Sequence, residues 1–146
     1  MEGKDLYIKD LPQPISQVKP MMKGNAAIDD GNFLFANGKE ADSFKSKYPE
    51  QSFLVREFIG SLELINNKKR YCLWIENDQY QYALSIDKVC QRIDAVKSFR
   101  LQSKKNATKR QALNPHLFMQ RTYKPTEAII IPGVSSEKRG RIPMGY

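Results

Sequence analysis

The chain has 146 residues, enough for one hydrophobic core and too few for two. Its 24 Lys and Arg outnumber 16 Asp and Glu, giving a net charge of +8 and a sequence pI near 9.5. That excess fits a polyanionic partner, nucleic acid above all, although an acidic protein satisfies charge alone. A mean hydropathy of -0.59, with no apolar run near the roughly 18 to 20 residues of a span, argues against a membrane role.

In chain order, Met1 to Gly24 hold Pro12, Pro14 and Pro20 among scattered apolar residues, without a secretory h-region after Met1. Residues 1–19 are therefore expected to be an irregular lead-in, and 20–146 the folded domain. Asp30-Gly31 predicts a tight turn and Asn32 to Phe35 a short strand. Asp29 and Asp30 read as turn formers rather than as metal or acid–base ligands, because carboxylates beside Gly generally play that part. Glu40 to Tyr48 predicts a helix stopped by Pro49, and Phe53 to Ile59 an apolar segment ended by Gly60. Lys68 to Ile75 reads as a strand with both faces apolar near its centre, hence an inner strand, with Trp74 in the core.

Ser85 to Leu113 reads as one long amphipathic helix with Ser85 as N-cap. Ile86, Val89, Cys90, Ile93 and Val96 recur at three- and four-residue steps and mark the face that docks on a core. Lys97, Arg100, Lys104, Lys105, Lys109 and Arg110 crowd its second half, several of them four apart. Like charges at that spacing repel by a few tenths of a kcal/mol per pair, so helix stability does not explain them and a polyanion does. Asn114-Pro115 closes the helix, and His116 at its exit is expected on the surface or in a capping role. Ala128 to Ile131 predicts another strand, and Val134 to Tyr146 a polar, basic loop leading into a further one. The apolar ending Ile142-Pro143-Met144-Gly145-Tyr146 lacks a polar tail, as expected of a segment from a larger protein.

Catalytic signatures are missing from this sequence. It contains neither G-x-x-x-x-G-K nor G-x-G-x-x-G, so nucleotide chemistry has no support, and no G-x-S-x-G surrounds Ser135 or Ser136. His116 is the lone histidine and cannot assemble a triad. Cys72 and Cys90 lie outside any C-x-x-C or histidine cluster, so no zinc site or disulfide framework is indicated. Both fall on apolar positions, and buried free thiols fit a reducing cytoplasm.

Four colinear segments together resemble a known family. They are Pro20 to Asn25 with Asp30-Gly31-Asn32; Phe53 to Arg56 through Ile65 to Ile75; Arg92 to Val96 through Arg100 to Lys104, Ala107-Thr108 and Pro115; and Ile130-Ile131-Pro132 with Val134 to Arg139 and Ile142 to Tyr146. Their order is similar to the target-recognition domain of MmeI-like, type IIG/IIL DNA adenine methyltransferase/restriction enzymes, from about Pro20 onward. The resemblance implies a mixed α/β (α+β) recognition domain, with a small sheet and a long basic helix, that reads double-stranded DNA in a bacterial restriction-modification enzyme. In that family the domain follows an N-P-P-[FY] catalytic motif, absent here along with the S-adenosylmethionine loop. The segment is expected to bind without catalysing, with no cofactor of its own. S-adenosylmethionine and Mg2+ would serve only the parent enzyme, whose methyltransferase domain is the expected same-chain partner.

Phosphate contacts give affinity, whereas specificity needs directional hydrogen bonds at base edges. Arg100, Lys104, Lys105, Lys109 and Arg110 are the phosphate-binding candidates. Ser135, Ser136, Glu137, Lys138, Arg139 and Arg141 are the base-reading candidates, because their loop mixes donors with an acceptor. The bland alternative is a connecting loop in which Ser135 and Glu137 only tie down backbone amides. Arg56 and Arg70 match family positions, although Arg70 also reads as a strand-edge residue. Two other classes stay open: a stand-alone basic RNA-binding protein and an adaptor for an acidic protein. A sheet-type RNA reader should show paired exposed aromatics on a glycine-containing strand, and none is evident.

Overall fold

Asp30 and Gly31 reverse the chain with positive φ values of 54° and 76°, the geometry that Asp-Gly favours. Asp29 fixes the turn. Its carboxylate accepts the Phe33 amide at 2.6 Å and its carbonyl accepts the Asn32 amide, so this buried acid is a turn former as expected. The computed structural model describes residues 11, 15–17, 21–134 and 136–145. Most of the lead-in expected over 1–19 lies outside the described residues, as does Ser135.

α1 spans Gly38–Lys47, close to the predicted helix. Asn37 accepts the Glu40 amide through Oδ1, and Glu40 reaches back to the Ala36 amide, satisfying two otherwise unpaired donors. Lys45 and Lys47 occupy the last turn, where the helix dipole favours cations. The predicted apolar segment at 53–59 is split. Phe53 and Leu54 finish a 3-10 turn, Pro49–Leu54, and only Val55–Glu57 forms strand β1.

β1 pairs antiparallel with β2, Tyr71–Leu73, in the register Val55 with Leu73 and Glu57 with Tyr71. On the other edge of β2, the Phe33 carbonyl accepts the Leu73 amide and the Phe35 amide donates to Tyr71. β2 is thus the inner strand that its two apolar faces required. The strand predicted at 32–35 reduces to one bridge, Leu34 with Cys72, in the few residues between the turn at 29–32 and the Asn37 cap of α1, while Arg92 takes the Asn32 and Leu34 carbonyls on the outer side. β2 is also shorter than Lys68 to Ile75. Helix α2, Ser61–Asn66, ends at Asn67 in a left-handed conformation, and the Lys68 amide bonds back to the Glu63 carbonyl, so 68–70 belong to a loop.

Trp74 is 8% exposed and tilts against Phe118 at 4.9 Å, a core residue as predicted. Phe33, Phe35, Leu54, Leu73, Ile75, Ile86, Val89, Ile93 and Val96 belong to the same core.

The continuous helix over Ser85 to Leu113 is corrected to α4 at Asp87–Leu101, α5 at Asn106–Arg110 and a closing 3-10 turn at Gln111–Leu113, with a separate short helix, α3 at Tyr80–Leu84, before them. Ser85 ends α3, its hydroxyl donating to the Tyr82 carbonyl, and does not cap α4. The break after α4 has a long-range cause. In an unbroken helix residue 111 would lie about 16 Å beyond residue 100. Instead the chain doubles back and puts the Gln111 carbonyl 3.1 Å from the Arg100 guanidinium.

The strand predicted at 128–131 shrinks to a bridge between Ile130 and Gly145. No helix among the described residues is long and apolar enough to cross a membrane.

Candidate nucleic-acid interface

Along α4 the buried positions are Val89, Ile93, Val96 and Arg100, spaced four, three and four. Arg100 continues the apolar stripe. It is 0% exposed, and each of its five N–H groups meets a carbonyl: Nε that of Ile28, Nη1 those of Gln111 and Asn114, and Nη2 those of Ala27 and Leu117, at 2.7 to 3.1 Å. Burial lowers its pKa below the usual guanidinium value, and the negative charge of Asp29 opposes the shift. With no donor left and no solvent contact, Arg100 is removed from the phosphate-binding set. The spacing from Val96 was the signal that could have revealed this.

What Arg100 does is hold a scaffold. It ties residues 27–28 and 111–117 to the end of α4, and the loop between α4 and α5 hangs between those anchors. Ile28 adopts φ 51°, unfavourable for a β-branched residue, and Arg100 grips the carbonyls on both sides of that residue's φ/ψ pair. Arg92 works similarly one face away. Its guanidinium binds the Asn32 and Leu34 carbonyls, pairs with Glu40 at 2.6 Å and lies over the Phe35 ring. The sequence reading gave Arg92 no such role.

The other four phosphate-binding candidates lie on the turn between α4 and α5 and on α5 itself. Lys104 and Lys105 lie between α4 and α5, and Lys109 and Arg110 end α5; all are exposed, and no carboxylate pairs with them among the described residues. The Ser103 hydroxyl accepts the Lys105 amide and shapes the turn. Lys97 is exposed on the preceding helix.

Of the base-reading candidates, Ser136, Glu137, Lys138, Arg139 and Arg141 are exposed, and Ser135 is outside the described residues. Ser136 Oγ accepts the Lys138 amide and its carbonyl accepts the Arg139 amide, so residues 136–139 form a tight turn. Glu137 makes no side-chain hydrogen bond among the described residues, while Ser136 does tie down a backbone amide. The stem of the loop is closed by paired Ile130 and Gly145 backbones at 2.8 and 3.0 Å. Arg56 is exposed on β1, whereas Arg70 pairs with Glu63 at 3.0 Å and covers the Phe58 ring.

His116 is corrected from surface to interior. It is 6% exposed, stacks on Tyr80 at 4.2 Å, and its Nε2 donates to Asn77 Oδ1. Burial, then the nearby Arg100 charge, lowers its pKa, and Nδ1 has no partner that could accept a second proton. Cys72 is buried, its thiol pushed up to about 12 by burial and, secondarily, by Asp29. Cys90 departs from the expectation: it is only half-buried, with its Sγ donating to the Leu84 carbonyl, because it lies at the border of the docking face.

Comparison with known proteins places this arrangement. The chain is 35% identical over 144 residues to DNA methyltransferase A of Bacillus subtilis (strain 168), covering 99% of this chain and 16% of that protein. It superposes with a TM-score of 0.86 and 36% identity on a solved structure of the type IIL restriction-modification enzyme MmeI in complex with DNA, over 98% of this chain and 19% of that one. The chain thus spans less than a fifth of the length of either relative. The family model described as MmeI, target recognition domain, matches residues 2–146. The chain belongs to the MmeI target recognition domain family.

Proposed function

We propose that this chain is the double-stranded-DNA reading module of a restriction-modification methyltransferase and is itself non-catalytic. The observation that carries the reading is the four-cation turn of Lys104, Lys105, Lys109 and Arg110, exposed and unpaired among the described residues yet anchored through Arg100. Flexible surface lysines on an unanchored loop would lose more conformational entropy on binding; here the backbone is already fixed. Family membership and the DNA-bound relative support the same reading.

In this account the turn holds phosphates and the 136–141 loop reads bases. Arg139 and Arg141 can donate to guanine O6 and N7, and Glu137 can accept from cytosine N4. Adenine-N6 methylation, any endonuclease activity, and the use of S-adenosylmethionine and Mg2+ belong to the parent enzyme, whose methyltransferase domain is the module's same-chain partner in the cytoplasm. One titration of duplex DNA, duplex RNA and heparin tests the proposal. Duplex DNA should bind most tightly, with a log-log salt slope of about -4 for four phosphate contacts. Preference for duplex RNA, or equal affinity for heparin and DNA at every salt concentration, refutes it.

A further inference from the structure

We infer that Lys68 and Lys69, in the loop between α2 and β2, form a second phosphodiester-binding point, separate from the α4–α5 turn. The inference rests on the DNA-reading function proposed above and adds up to two contacts to the four counted there, which steepens the expected salt slope to about -5.

The local backbone is built to present these two side chains. α2 stops at Asn67 with φ 49° and ψ 46°, and the amides of Asn67 and Lys68 both return to the Glu63 carbonyl. Asparagine tolerates that left-handed conformation better than most residues, so the turn is set by sequence. Nearby acid is already engaged: the Glu63 carboxylate accepts the Gly60 amide and pairs with Arg70 at 3.0 Å. Lys68 and Lys69 are exposed, with no carboxylate partner among the described residues. Two lysines adjacent in sequence and without a carboxylate partner raise the local positive potential, which an external anion offsets.

Placement links this point to the reading loop. Gly145 approaches α2 so closely that a Cβ there would fall 2.3 Å from Leu64 Cδ1. Gly145 also pairs with Ile130 at the stem of the segment carrying Ser136, Glu137, Lys138, Arg139 and Arg141. The stem therefore packs against the helix after whose end the chain presents Lys68 and Lys69. Ammonium groups are compact charges without the planar fork that distinguishes base edges. Phosphate is accordingly the ligand, and the role is to fix the register of the loop on the duplex.

The test compares the chain with K68Q/K69Q and K104Q/K109Q variants on one duplex over a salt series, and measures lysine acetylation of the unmodified chain with and without that duplex. Both pairs are exposed, and thermal melts identify any folding defect. The acetylation arm needs no variant. Each lost contact should lower the salt slope by about 0.9, so K68Q/K69Q should lose up to about 1.8, and DNA should protect both lysines from acetylation. A wild-type slope in K68Q/K69Q, with Lys68 and Lys69 acetylated at the free rate while K104Q/K109Q binds more weakly, overturns this inference and leaves the DNA-reading function standing. Failure of the unmodified chain to bind duplex DNA overturns both.

Discussion

Replacing Arg100 with Met tests whether a residue that sequence places among phosphate ligands is a buried scaffold. The substitution keeps an unbranched stem and removes five hydrogen-bond donors. Three of the carbonyls retain another partner: Ala27 accepts the Met119 amide, Gln111 the Asn114 amide, and Asn114 the Leu117 amide. The carbonyls of Ile28 and Leu117 have no other donor among the described residues. Two orphaned buried carbonyls at about 1 to 3 kcal/mol each give an expected loss of about 2 to 6 kcal/mol. Relaxation of the strained Ile28 backbone offsets part of this. Because domains of this size are stable by only about 5 to 15 kcal/mol, the variant should be visibly less stable in urea denaturation and unfold at lower urea. A loss below about 0.5 kcal/mol, as for an ordinary surface substitution, together with a shallower salt slope of DNA binding, would refute the scaffold role and restore Arg100 to the phosphate set.

Replacing Lys104 and Lys109 with Ala should weaken binding to all duplex sequences about equally, lowering the salt slope by up to about 0.9 for each lost contact; an unchanged slope in a binding titration contradicts the role of the turn. At pH 8, alkylation should modify Cys90 well before Cys72, whose thiol is buried and pushed up to about 12; equal rates in the folded protein would contradict the assigned core. The depressed His116 pKa has a definite sign. Below its ordinary value of 6.5 the unfolded chain takes up a proton that the folded chain does not, so stability present above pH 6.5 is lost as the pH falls through the folded pKa. Urea unfolding at pH 7.5 and 5.5 should show that loss in the unmodified chain and a smaller one in His116→Gln, and equal losses would contradict it.

Much of the local structure was legible because it depends on neighbours in sequence. Asp30-Gly31 specified a turn, Glu40 and Pro49 bracketed α1, and the apolar faces around Leu73 marked an inner strand with Trp74 in the core. The stripe of Ile86, Val89, Ile93 and Val96 identified the docking face of α4. What escaped depends on partners far along the chain. The break after α4 follows from carbonyls captured by Arg100, including two at 27 and 28, more than 70 residues away. A guanidinium counted as surface charge until those acceptors were known. His116 could not be placed inside without knowing that Asn77 and Tyr80 meet it. The short pairings at Leu34 and Ile130 had strand-like sequences, but the first is confined between a turn and the cap of α1, and among the described residues Ile130 pairs with Gly145 alone. Within the proposed interface, the clustering of Lys104, Lys105, Lys109 and Arg110 was readable from sequence, whereas the packing of the loop's stem against α2 depends on the approach of Gly145 to Leu64.

The most direct test of the central claim is selection of bound duplexes from a randomised pool at low salt, performed with the unmodified chain and with Glu137→Ala, Arg139→Ala and K104Q/K109Q variants. The account predicts an enriched motif for the unmodified chain, the same motif at lower yield for K104Q/K109Q, and a loss or switch of preference at one position for Glu137→Ala or Arg139→Ala, worth about 1 to 3 kcal/mol there. An unchanged motif in both loop variants, with an altered motif in K104Q/K109Q, would contradict the division between reading loop and gripping turn; no enriched motif from any of the proteins would contradict DNA reading by this chain.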